Sequence, residues 1–345
     1  MNAHRSIILL LLLGQLLFVG CRKDGPERPE DPIANTVSNG VFITNEGNFQ
    51  WGNAKVSFYD IATATVVEDL YEPANGVGLG DVCQSMRLFN GKAYVVVNNS
   101  GKVVVVDQRT FVASATITGF VSPRHFLPVG NDKAYVSDLA ANHISVVDLT
   151  TNTITGSIAC PGWTEEMVLV NGSVFVTNES RSQLYVIDAM TDAMVDSIPV
   201  SRGGNSIVED VEGKLWLACS GGGGTLPALY RIDAETRTVE HMFTFPNGSD
   251  NPWRLDINSD RDTLYFLNGD VFRMSVAAIA LPTAAFVPAD GRNFYGVGVE
   301  PTTGILYVSD AIDYVQRGSI ARYAPNGSLL NTFLAGTVPG EFVFP

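Results

Sequence analysis

The chain is short of the residues that most often carry chemistry. Its 345 residues include four histidines. Beyond the first twenty residues only His125, His143 and His241 remain, in widely separated segments. That excludes a multi-histidine copper or zinc cluster. Four cysteines occur, with no Cys-x-x-Cys spacing. Setting Cys21 aside, Cys83, Cys160 and Cys219 leave an odd number, which argues against a disulfide framework and for small buried apolar side chains. No Gly-x-Ser-x-Gly elbow occurs, and Gly221–Gly224 lacks the Lys-Ser/Thr that completes a phosphate loop. The run Asp256–Asp262 has the look of a calcium loop but lacks glycine at its sixth position and glutamate at its twelfth. We therefore assign no catalytic residue, metal or cofactor from the sequence. Basic residues are also scarce, 22 against 36 acidic, for a net charge of −14. Such a surface repels phosphate backbones, so nucleic acid is not an expected partner, and the charge serves solubility.

Long apolar runs are absent except at the start. His4 and Arg5 precede Ile7–Leu13 and Leu16–Val19, interrupted by Gly14 and Gln15. The run is too short and too polar for a membrane span and reads as a signal peptide over residues 1–20. It ends Leu17-Phe18-Val19-Gly20-Cys21, which resembles a bacterial lipoprotein processing site. That resemblance implies cleavage before Cys21 and a lipid on its sulfur, the chain's one membrane attachment. Residues 21–39 carry Pro26, Pro29 and Pro32 among charged residues and have little to bury, so a flexible tether is expected. The position after Cys21 is not aspartate, and the acidic-rich tether resembles export signals of Bacteroidetes lipoproteins. An outer-membrane, cell-surface location is the expectation.

From residue 40 to 345 the chain repeats itself. A strand of the type Gly-x-Tyr-Val-x-Asn recurs with its aromatic at Phe42, Tyr94, Tyr135, Phe175, Trp216, Tyr265 and Tyr307. A second β-rich run often follows, ending at Asp60, Asp107, Asp148, Asp188 or Asp233. A period near forty residues with several short strands per unit predicts an all-β, seven-bladed β-propeller. Asn90-Gly91, Asn171-Gly172 and Glu212-Gly213 supply hairpin turns between inner and second strands. Runs such as Val103–Val106 are apolar on both faces, as blades sandwiched between blades require. The first repeat has no inner strand of its own, because only the polar tether precedes it. The terminal Gly340-Glu341-Phe342-Val343-Phe344 has no blade of its own, so it is expected to close the ring within blade one.

The repeat also predicts where a site lies. Inner strands align on Met86, Phe126, Met167, Ile207, Leu255 and Val297. Two places upstream stand Gln84, Arg124, Glu165, Asn205, Trp253 and Tyr295. One place upstream stand Ser85, His125, Glu166, Ser206, Arg254 and Gly296. These polar and aromatic rows begin strongly apolar strands, at the end of the ring where loops from every blade converge. The same face receives Asn45–Asn53 with Phe49, Trp51 and Asn53, the Gly-rich Ser220–Leu226, Trp163, Arg181, and Asp310–Gly318 with Tyr314 and Arg317. Aromatic platforms beside amides and arginines suit a large amphipathic ligand.

The Tyr-Val-x-Asn/Asp strands resemble YVTN-type seven-bladed propellers. A narrower resemblance rests on Val41–Phe49, Asn53-Ala54, Phe58-Tyr59-Asp60, Leu79-Gly80-Asp81-Val82, Gln84-Ser85-Met86, Val96–Lys102 and Ala335–Gly340. These motifs resemble a family of Bacteroidetes surface lipoproteins that capture corrinoids such as vitamin B12 and pass them to a TonB-dependent outer-membrane transporter. The chemistry of these residues is compatible with such a ligand: Gln84, Asn205 and Asn53 would pair with its amides, Arg124, Arg254, Arg181 or Arg317 would meet its phosphate, and Trp51, Trp163, Trp253, Tyr295 and Tyr314 would pack on it. His125 and Glu165 complete the candidate set. Two other classes stay open: a propeller hydrolase or lactonase with Asp81, Glu165 and Glu166 around a funnel metal, and a protein-interaction module of the envelope.

Overall fold

The computed structural model describes residues 39–345. The signal peptide, Cys21 and all but the last residue of the tether lie outside the described residues. Seven antiparallel sheets follow one another in chain order, six of four strands and one of three. Blade two shows the pattern: Cys83–Phe89 innermost, then Lys92–Val97, Lys102–Asp107 and Ala113–Thr118 outermost. Inner strands of the later blades are Pro123–Pro128, Thr164–Val170, Gly204–Glu209, Trp253–Ile257 and Phe294–Val299. Blade one is closed by the end of the chain. Pro339–Val343 pairs with Gly40–Asn45, setting Ile43 opposite Phe342 and Asn45 opposite Pro339. The expected closure is thus present and begins one residue earlier than the sequence indicated.

The repeated aromatics are the pins of the blades. All seven sit in second strands and are almost fully buried. The recurring aspartates have a different task. Each ends a third strand and turns its side chain back on the following backbone: Asp60 Oδ1 accepts from the amides of Ala62 and Thr63, Asp107 Oδ1 from Arg109 and Thr110, Asp148 Oδ1 from Thr150 and Thr151, and Asp188 Oδ1 from Met190 and Thr191. These are Asx turns, for which a short carboxylate is suited. Asn90-Gly91 and Asn171-Gly172 adopt positive φ at both positions, as a type I′ turn needs. At Glu212-Gly213 only the glycine does, so that turn is of another type.

Blade six lacks an outermost strand. Its third strand, Asp270–Ser275, is followed by a segment that returns to form a single bridge from Val287 to Val271. One short helix, Tyr71–Asn75, links blades one and two, with Asp69 Oδ1 accepting from the amides of Tyr71 and Glu72 and Gly76 ending it at φ 71°. Cys83, Cys160 and Cys219 are free and buried. Burial pushes the Cys160 thiol up to about 12.

Candidate functional site

Every inner strand contains one residue too many. Cys83 and Ser85 pair with Val97 and Val96, so two steps on the inner strand match one on its neighbour. Pro123 and Phe126 pair with Asp138 and Val136, three steps against two. The same surplus falls between Thr164 and Met167, Gly204 and Ser206, Trp253 and Asp256, Phe294 and Gly296, and Pro339 and Phe342. Each is a β-bulge at the same end of the strand. A bulge swings side chains out of the pleat and re-aims them. The residues it holds here are Gln84, Arg124-His125, Glu165-Glu166, Asn205, Arg254-Leu255, Tyr295 and Gly340-Glu341. Trp253 apart, the polar row two places upstream of the aligned apolar residues is a row of bulges, and His125, Glu166 and Arg254 of the adjoining row fall in the same bulges, whereas Ser85, Ser206 and Gly296 stay in the ladder.

The re-aimed side chains meet at the mouth of the central channel. A cavity of about 250 Å³ is lined by Gln84, Arg124, His125, Trp163, Glu165, Asn205, Trp253, Arg254 and Tyr295. Glu46, Glu166, Glu179 and Ser206 complete its wall. A second cavity of about 360 Å³ runs down the channel, and His125, Glu166 and Arg254 line both.

One half of the mouth is tightly wired. Arg124 Nε donates to Glu165 Oε1 at 2.8 Å, its Nη1 donates to Gln84 Oε1, and its guanidinium lies 5.7 Å from the Trp163 ring centroid. The Trp163 indole N–H also donates to Glu165. His125 Nε2 lies 3.5 Å from Glu165 Oε2. Burial alone pushes the Glu165 carboxyl up, but Arg124 and His125 outweigh it and hold the group down at about 2. Asn205 is also committed, its Nδ2 donating to the carbonyls of Gly203 and Pro252. The other half is aromatic. Trp253 and Tyr295 meet edge to face at 5.3 Å, Tyr295 meets Tyr314 at 5.8 Å, and Tyr295 Oη donates to Glu46 Oε1 at 2.8 Å.

Below the mouth, carboxylates tie neighbouring blades together. Glu166 Oε2 accepts from the amide of Ile207 at 3.0 Å, Asp256 Oδ2 from Val299 at 2.8 Å, and Glu341 Oε2 from Met86 at 2.7 Å. Each bond joins one inner strand to the next. The reason is physical: an inner strand is a sheet edge, and its channel-facing amides need acceptors. Burial pushes Glu166 up to about 7 and Asp256 up to about 6. Glu179, near Glu165, is also pushed up by burial, to about 7.

Five candidates stand outside the mouth cavity. Asn53 is consumed within its own loop, accepting from the Asn48 amide at 2.8 Å and donating to Asn48 Oδ1 at 3.0 Å. Arg317 is diverted to the carbonyl of Ala335 and to Glu68 Oε2 at 3.1 Å, a contact between blades seven and one. Arg181 is exposed in the blade-four loop beside Gly162. Trp51 is 74% exposed on the rim. Tyr314 extends the aromatic row outward from Tyr295. Glu46 and Glu179 were not among the candidates from sequence, although Glu46 lies within a motif that carried the family resemblance. Its bond to a tyrosine 249 residues away has no sequence signal. Asp81, Glu165 and Glu166 do not form a common metal site. Asp81 Oδ2 accepts from the Gln50 amide and from Asn99, while the two glutamates serve Arg124 and Ile207. Among the described residues no three His, Cys, Asp or Glu side chains gather as metal ligands.

Fold and site together define a seven-bladed β-propeller with a polar-aromatic funnel mouth. The chain belongs to the family described as Domain of unknown function (DUF5074), which it matches over residues 39–332. Among curated proteins it is similar to the uncharacterized protein YncE of Salmonella typhi, 22% identical over 194 residues, covering 55% of this chain and 53% of that protein. The chain thus spans about half the length of that relative. Two solved structures share the fold. A quinonprotein alcohol dehydrogenase-like protein (BT1487) of Bacteroides thetaiotaomicron is 15% identical with a TM-score of 0.70, covering 90% of this chain and 78% of the other. A putative 6-phosphogluconolactonase (BF1038) of Bacteroides fragilis is 11% identical with a TM-score of 0.66, covering 90% and 99%. At these identities the likeness concerns the fold alone.

Proposed function

We propose that this propeller is a cell-surface capture protein that takes a large amphipathic small molecule on its funnel mouth, a corrinoid of the vitamin B12 class, and hands it to a TonB-dependent outer-membrane transporter. The observation that carries the binding part of this reading is the bulge row. It aims side chains from blades two to seven into one mouth, where Trp163 and Trp253 add indole rings to its phenol, amides and arginines. A broad disc with polar edges needs that arrangement: flat apolar contact at its faces and hydrogen bonds around its rim. Ligand class, lipid anchor and transporter come from the sequence resemblance and are part of the proposal. The hydrolase or lactonase reading has less support, because its three carboxylates are committed to different partners.

Isothermal titration calorimetry with cyanocobalamin and with dicyanocobinamide tests the ligand class. The expected result is saturable one-to-one binding, weakened about tenfold or more by Trp253→Ala, since a buried aromatic contact is worth on the order of 1–2 kcal/mol. Folded protein giving no binding heat with either compound overturns the reading.

A further inference from the structure

The arginines of the mouth are not equivalent. Arg124 is held by Glu165 and Gln84. Arg254, on the opposite wall, makes no side-chain hydrogen bond among the described residues, and its Nε is buried without a partner. Its nearest carboxylate is Glu46, with Nη2 3.7 Å from Oε1, beyond hydrogen-bonding range. An arginine that leaves a buried donor unused calls for an explanation, because an unpaired buried polar group is costly.

The surroundings indicate how that donor set is used. The guanidinium lies 5.2 Å from the Trp253 ring centroid and 5.4 Å from that of Tyr295, so two rings fix it by cation–π contact without consuming its N–H groups. Its backbone is held in the left-handed region at φ 53°, unusual for a residue other than glycine, within the blade-six bulge. Gly340 of the closing strand lies against the pair without a side chain. A Cβ there would lie 3.5 Å from Arg254 Nη2 and 3.6 Å from Glu46 Oε1. Glu46 is anchored by Tyr295, not by the arginine, and burial pushes its carboxyl up. The ion pair is therefore loose, and both partners line the mouth cavity, where a ligand group can reach them.

We propose that Arg254 is the oxyanion receptor of the mouth and Glu46 its exchangeable internal counter-ion, so that a phosphate or carboxylate group of the incoming ligand takes the guanidinium face that Glu46 only approaches. This deepens the capture reading by naming a subsite, and it rests on the mouth being the ligand site. A guanidinium offers two parallel N–H donors to either anion. The tetrahedral and planar forms are separable by probe.

The test uses sulfate and acetate as probes, sodium chloride at matched ionic strength as reference, and tryptophan fluorescence as readout, since Trp253 packs on the receptor. Wild-type protein should show a saturable response to sulfate if the group is phosphate-like, or to acetate if it is a carboxylate. Arg254→Gln should weaken the response tenfold or more. Glu46→Gln, which keeps an acceptor for Tyr295 but removes the competing charge, should strengthen it severalfold. The opposite signs are diagnostic, because a purely structural pair would lose binding in both variants. Equal responses in wild type and Arg254→Gln, or weaker binding in Glu46→Gln, overturn the proposal. If Arg254→Gln does not fold, the sign of the Glu46→Gln effect decides alone. Sulfate or acetate binding without corrinoid binding would keep the receptor and reject the corrinoid. Corrinoid binding without any anion response would do the reverse.

Discussion

Closure of the ring by the chain terminus can be tested with one side chain. Phe342 sits in the closing strand, opposite Ile43, and is 8% exposed. It packs with Val41, Ile43, Tyr59, Tyr307, Ile320 and Ala335, its ring 5.7 Å from that of Tyr307. Phe342→Ala keeps the backbone ladder and removes the ring. Truncating a buried phenylalanine costs about 3–5 kcal/mol. The lower end applies here, about 3 kcal/mol, because one side of the ring borders the channel and water can fill part of the space. Unfolding entropy near 2.1 cal/mol/K per residue gives roughly 0.6 kcal/mol/K for a domain of about 300 residues, so the expected fall in Tm is about 5 °C. Differential scanning calorimetry measures it. Leu330→Ala, on the exposed outer strand of blade seven, serves as reference and should shift the melt by about 1 °C or less. A folded Phe342→Ala protein that melts within about 1 °C of wild type would refute the closure and the core assigned to it.

The remaining predictions follow from the same geometry. Gly296→Ala should be far more damaging, by more than about 3 kcal/mol in chemical denaturation, because its Cβ would fall 1.9 Å from the Gly340 carbonyl oxygen of the closing strand. The pH dependence has a definite sign. Glu166 and Asp256, raised to about 7 and about 6, hold protons in the folded protein where the unfolded chain has released them. Stability should therefore fall as pH rises from about 5 to 8, while Glu165, held at about 2, causes a loss on acidification below its unfolded value of 4.5. Melts across pH 3–9 should show a maximum near pH 5, and Glu166→Gln should raise stability at pH 8 by about 1–2 kcal/mol, flattening the alkaline limb. Iodoacetamide at pH 8 should leave Cys83, Cys160 and Cys219 unmodified in the native protein and label all three in guanidinium, as read by mass spectrometry.

Much of this protein is written locally. The blade count follows from seven buried aromatics, because each blade must bury one at the same depth of its second strand. The recurring aspartates were visible as strand ends, since an Asx turn involves only residues two and three places on. The mouth was legible as a row because every inner strand carries its extra residue near its N-terminal end, shifted by one place only in blade six. Aligning apolar positions therefore aligned the bulges too, although nothing local announced that they were bulges.

What the sequence left open is which of these groups are free. Gln84, Arg124, Glu165 and Asn205 read as available polar side chains, yet their hydrogen bonds are largely used on neighbouring blades. Arg317 stood level with Arg254 as a candidate until Glu68, distant in sequence, drew it to the blade-one junction. Glu46 reached the site by bonding Tyr295 across the ring closure. Local sequence determines strands, turns and their order, because those depend on sterics and hydrogen bonds within a few residues. Tertiary structure alone decided the charge pairing, because electrostatic partners are chosen by distance in space and each blade meets its neighbour only when the ring is closed.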